Sequence, residues 1–161
     1  MMKAVPMSFV MCVAVATLSA SMNPPVDVNT RARGAQRVVV ASVVDAYSTF
    51  GVTPQGDRVI VTHTQLQVEE TLKGASAQLV ALTIEGGTVG DITMRVSDMS
   101  PLRKGDRGVF FLDSDQAGGN RPHGRGLGIL KLDANNRIAG SDLSLGQVKT
   151  LVRGAVNGGQ R

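Results

Sequence analysis

The sequence predicts a mainly β protein, a small antiparallel barrel of five or more strands with a short C-terminal helix; a two-sheet β-sandwich is the alternative. Three observations predict it. Apolar residues make up 42% of the 161-residue chain and aromatics only 3%, so Val, Ile, Leu, Ala and Met must fill the interior. The β-branched members of that set suit a pleated surface. Short runs that alternate apolar and polar residues recur between turn residues, and only one stretch, near the end, has helical spacing.

In chain order, residues 1–21 read as a secretory signal peptide. Lys3 supplies the positive start, residues 4–18 the apolar run, and Ser19-Ala20-Ser21 the small-residue cleavage end. The apolar run is shorter than the roughly 20 residues a membrane-spanning helix needs, so export is expected rather than anchoring. The one cysteine, Cys12, lies within this run and leaves with it. The exported part then has no disulfide, no thiol nucleophile and no cysteine-based metal site. Residues 22–36, with Pro24, Pro25, Arg31 and Arg33 and no apolar period, read as a flexible lead into a single β domain over residues 37–157. Residues 158–161 read as a disordered tail.

Within that domain, residues 37–47 form a Val-rich run that is apolar on both faces, as expected of a buried central strand. After the Gln55-Gly56-Asp57 turn, residues 58–72 alternate. Ile60, Thr62, Thr64, Leu66 and Val68 lie on one face, opposite Val59, Val61, His63, Gln65, Gln67 and Glu69. Residues 78–84 alternate again, with Val80, Leu82 and Ile84 on one side, and residues 92–96 are a weaker strand with Ile92, Met94 and Val96 inward. Residues 108–112 are apolar throughout and read as a second central strand. Residues 127–132 and 137–139 read as a closing hairpin around Asn135-Asn136. Ser144 and Gln147 match a capping box, and Leu145, Val148, Leu151 and Val152 repeat at helical spacing.

The order of elements resembles a group of uncharacterised exported bacterial domains. The pieces that carry the resemblance are the strand at residues 38–44, the strand end Val68-Glu69-Glu70-Thr71-Leu72-Lys73-Gly74, the Gly86-Gly87-Thr88-Val89-Gly90 turn, and residues 101–112. The resemblance implies an OB-type barrel similar in layout to the N-terminal module of the tissue inhibitors of metalloproteinases. That module works through an N-terminal cysteine, which the exported part of this chain lacks, so inhibition is carried over to no residue.

Charge and motifs exclude several function classes. Removing Lys3 leaves about +3 of the chain's +4, too mild a balance to require nucleic acid. The exported aromatics Tyr47, Phe50, Phe110 and Phe111 include too few exposed candidates for a base-stacking platform. His63 and His123, sixty residues apart and without cysteine, give no metal-ligand pattern. Gly124-Arg125-Gly126-Leu127-Gly128 precedes a strand, whereas a nucleotide fingerprint opens a helix. Glu69 and Glu70 point to opposite faces of one strand and form no acid–base dyad.

The residues left are Arg121, His123 and Arg125, in a Gly-rich loop over residues 113–126. Two guanidiniums, an imidazole and unencumbered backbone amides suit an anion. Residues 118–126 have little apolar area to offset backbone ordering, and are expected to be the most mobile part of the body and its contact surface. The function expected is therefore that of an exported, cofactor-free binding or interaction module, periplasmic or extracellular. Its partner is a protein or an anionic ligand outside the cytoplasm. The alternatives are a hydrolase that uses the 113–126 loop, with Asp113, Asp115 and His123, or a structural envelope protein.

Overall fold

The computed structural model describes residues 27–53, 55–115 and 118–158; the expected signal peptide and residues 159–161 of the expected tail lie outside them. Among the described residues, eight strands and two helices follow in the order α1 (Val28–Gly34), β1 (Arg37–Val52), β2 (Arg58–Lys73), β3 (Leu79–Glu85), β4 (Gly87–Val89), β5 (Ile92–Met94), β6 (Arg107–Ser114), β7 (Asn120–Pro122), β8 (Ile129–Lys131) and α2 (Leu145–Gly158). A 3₁₀ turn at Arg125–Gly128 precedes β8. The protein is mainly β, as the alternation of its residues predicts.

Six strands form one antiparallel sheet in the order β3-β2-β1-β6-β7, with β8 also paired to β6. β4 and β5 form a separate two-stranded ribbon. The two apolar runs become the centre of the sheet, and their alternation splits the core in two. From β1, Val38 and Val40 join Val109 and Phe111 of β6 beneath α1 and α2, together with Leu130, Val148 and Val152. From the same strands, Val39, Ala41, Val43, Phe110 and Leu112 face the other way, onto Leu66, Val80, Leu82, Ile84 and Leu102. Both faces are covered, which is why these strands read as continuous apolar runs.

The expected barrel does not close. β7 lies beside β3, but no strand ladder joins them; the seam is crossed by a side chain, Asn120 Nδ2 donating to the Ala81 carbonyl at 2.9 Å. β7 is only three residues long and contains Pro122, which has no N–H to give to a ladder.

The expectation of a flexible lead over residues 22–36 is corrected for residues 28–34, which form α1. Asp27 caps the helix by accepting from Thr30 N at 2.9 Å, and Val28 and Ala32 are buried. At its other end Lys73 Nζ donates to the carbonyls of Ala32, Arg33 and Ala35 at 2.8, 2.9 and 2.6 Å. Carbonyls at a helix C-terminus have no intrahelical donor, and a cation there also opposes the helix dipole. α1 packs on α2. The α2 capping box forms as expected: Ser144 N donates to Gln147 Oε1 at 2.8 Å, and Gln147 N donates back to Ser144 Oγ at 3.3 Å.

Two smaller expectations are also refined. Ile92, expected inward, is 59% exposed. The expected closing hairpin forms beyond β8 as a short antiparallel bridge between Leu132 and Ile138, flanked by Ala139 N donating to the Lys131 carbonyl and Asp133 N to the Arg137 carbonyl, around a turn in which Asp133 Oδ1 accepts from Asn135 N and Arg137 N.

Candidate binding groove

The structure disperses the three residues expected to bind an anion. Within residues 118–126, expected as a mobile loop, residues 120–122 form β7 beside the end of β6, and a 3₁₀ turn begins at Arg125. Arg121 is exposed on β7, in register with Asp113. His123 Nδ1 lies 2.9 Å from Asp113 Oδ2, and both side chains are mostly covered. A Cβ on Gly34 would stand 2.5 Å from His123 Nε2, so the ring's second nitrogen packs against the last turn of α1. His123 therefore clasps α1 to the β6–β7 edge. Arg125 is turned to two carboxylates, donating from Nε to Asp98 at 2.8 Å and from NH2 to Glu85 at 3.0 Å.

The hydrolase constellation fares similarly. Among the described residues the His123 ring bonds only to Asp113, with no hydroxyl placed to be activated. Asp115 Oδ1 accepts from Gly119 N at 2.7 Å. Glu69 pairs with Arg107, and Glu70 pairs with Lys149 and Arg153, so the adjacent carboxylates do point apart. Lys149, Arg153 and their hydrogen bonds hold the Glu70 carboxyl below its ordinary range. His63 is half-buried, its ring 5.2 Å from that of Tyr47 and its Nε2 3.1 Å from Thr49 Oγ1. No group of three metal-ligating side chains occurs among the described residues, and no helix there is long and apolar enough to cross a membrane.

A concave feature lies elsewhere. The β4–β5 ribbon and residues 95–103 lie against the later part of β1, the start of β2 and the end of β3, leaving a groove of about 860 Å³. Ala46, Ile84, Met94, Val96, Met99 and Leu102 supply its apolar lining, and Ser48, Thr62, Thr88, Thr93 and Ser97 its hydroxyls. Its volume falls within the range of small-molecule sites, which combine an apolar lining with a few polar groups.

A hydrogen-bond network fixes the ribbon to the sheet. Thr62 Oγ1 donates to the Gly86 carbonyl at 2.7 Å, so its one proton is committed, and Ser48 Oγ, 2.9 Å away, must be the donor to Thr62. Ser48 Oγ in turn accepts from Thr88 N at 3.3 Å. Gly87 makes this approach possible: its φ is +139°, and a Cβ there would lie 2.2 Å from Ser48 Oγ. One step along the same face of β2, Thr64 is 3% exposed, and its hydroxyl has no partner among the described residues.

Arg125 fastens the other wall. Its bonds to Asp98 and Glu85 join residues 95–103 to the end of β3. Those bonds hold the Asp98 carboxyl below its ordinary range and the Arg125 guanidinium above its own. Gly126 completes the fastening, since a Cβ there would come within 1.4 Å of the Asp98 carbonyl oxygen.

At the mouth stand Arg95 and Arg103. Both are exposed, and among the described residues neither guanidinium has an ion-pair or hydrogen-bond partner. The groove's carboxylate, Glu85, is already matched by Arg125, so the unmatched charge of the lining is positive. Sequence reasoning missed this site because its residues come from four separate segments, with Arg95 and Arg103 in stretches that read as a weak strand and a turn.

No family model matches the sequence, and no curated protein is significantly similar to it.

Proposed function

We propose that the chain is an exported, non-enzymatic binding module whose contact surface is the groove between the β4–β5 ribbon, residues 95–103 and the inner face of the sheet. The supporting observation is a contrast in how the arginines are used. Arg125 of the expected binding loop is internally matched, and His123 is packed as a clasp, whereas the groove presents an apolar lining, a row of hydroxyls and two guanidiniums that are unmatched among the described residues. Recognition in such sites comes from apolar area for affinity and a few polar groups for orientation. The OB-type resemblance and the export segment are part of the same proposal, and put the ligand in the periplasm or outside the cell.

The test is capture from an envelope extract with two variants as controls. Val96→Trp fills the groove from its wall, and Arg121→Ala removes the exposed charge of β7. The proposal requires that Val96→Trp lose the captured species and that Arg121→Ala retain it, both with native melting temperatures. Equal capture by wild type and by a folded Val96→Trp protein would overturn it.

A further inference from the structure

We infer that the groove's ligand presents a carboxylate on a short apolar stem, an inference that rests on the groove being the binding surface. Arg95 and Arg103 both line the groove, and among the described residues neither guanidinium has an ion-pair or hydrogen-bond partner. A guanidinium presents a planar fork of donors that matches a carboxylate, and two at one mouth set the preferred charge of what enters. The Glu85 carboxylate in the lining does not oppose this, because Arg125 lies 3.0 Å from it.

Behind the mouth the lining turns apolar, with Ile84, Met94, Val96, Met99 and Leu102. The two methionines are unbranched and adaptable, and fit themselves to aliphatic groups of varied shape. A fully polar anion such as free phosphate would satisfy the arginines and leave this apolar area wet. An uncharged aliphatic group would do the reverse. A carboxylate with an aliphatic body meets both, and the groove is large enough for one of modest length. Two sources share that chemistry: an aliphatic acid, and the free C-terminus of an apolar peptide.

The experiment titrates the exported protein with octanoate and with acetyl-Ala-Val-Leu bearing a free C-terminus, each against its neutral amide. Amide chemical shifts of Gly86, Thr88, Val96 and Ser97 report occupancy of the groove. A carboxylate probe is expected to bind about tenfold more tightly than its amide, more weakly as salt rises, and with that preference abolished in Arg95→Ala/Arg103→Ala. Preference confined to octanoate assigns the aliphatic acid, and preference confined to the peptide assigns the chain terminus; both outcomes support the inference. Amides that bind as tightly as the acids would overturn it while leaving the groove reading in place, as would a double variant that keeps the full preference. Absence of groove shifts with all four probes would also overturn it, and the capture experiment with Val96→Trp then decides separately whether the groove binds anything.

Discussion

Arg125 donates to both carboxylate oxygens of Asp98, at 2.8 and 3.4 Å, from a residue 27 positions later in the chain. This contact and the Glu85 pair hold the wall of the groove to the end of β3. Replacing Arg125 by alanine is therefore expected to loosen residues 95–103 without unfolding the body, since the ion pairs are exposed and exposed pairs add little to global stability. Hydrogen exchange at the Met99 amide, which donates to the Val96 carbonyl at 3.1 Å, should speed up while the melting temperature stays near that of wild type. Unchanged exchange would show that the wall holds without Arg125.

The same pair sets a pH dependence. The Asp98 carboxyl is held below its ordinary value of 3.8, first by the Arg125 hydrogen bond and then by the guanidinium's charge. A depressed carboxylate contributes fully above its ordinary value and loses its contribution as pH falls through the lowered one. Met99 exchange, corrected for its intrinsic pH dependence, should be flat from pH 7 to about pH 4 and rise only in stronger acid. Opening between pH 7 and 5 would contradict this assignment.

Gly126→Ala should be far more damaging than Arg125→Ala, because the added Cβ would sit 1.4 Å from the Asp98 carbonyl oxygen and the backbone must move. Overpacking of this kind costs about 1–3 kcal/mol, to be read as a lowered denaturant midpoint. A midpoint equal to wild type would mean that residues 95–103 are free to shift away.

Lys73→Met keeps an aliphatic stem and removes the three donors that close the C-terminus of α1. Hydrogen bonds from a charged group contribute about 1.5–3 kcal/mol each where buried, and less in this partly exposed setting. The expected outcome is faster tryptic cleavage at Arg31 and Arg33 with the sheet intact. Resistance equal to wild type would show that packing of Val28 and Ala32 alone holds the helix.

How far the sequence was legible follows from where each signal resides. β1, β2, β3 and β6 were readable because period-two alternation and unbroken apolar runs are local. α2 was readable because its capping box and apolar stripe lie within nine residues of each other. α1 was not, since seven residues with two buried positions carry almost no period, and the cation that closes it is Lys73, about forty residues away. Arg125 was recognised as chemically notable but assigned to a ligand, because only the fold brings Asp98 and Glu85 to it. The groove was illegible for the same reason, being made where β4 and β5 cross the sheet on contacts between Gly87, Ser48 and Thr62.

The most direct test of the account is a hydrogen-exchange footprint of the protein with and without the species it captures. Binding in the groove predicts slowed exchange at residues 84–88 and 94–103, with residues 118–123 unchanged. Protection confined to residues 118–123, with the groove exchanging as in the free protein, would contradict the account and return the contact surface to the β6–β7 edge.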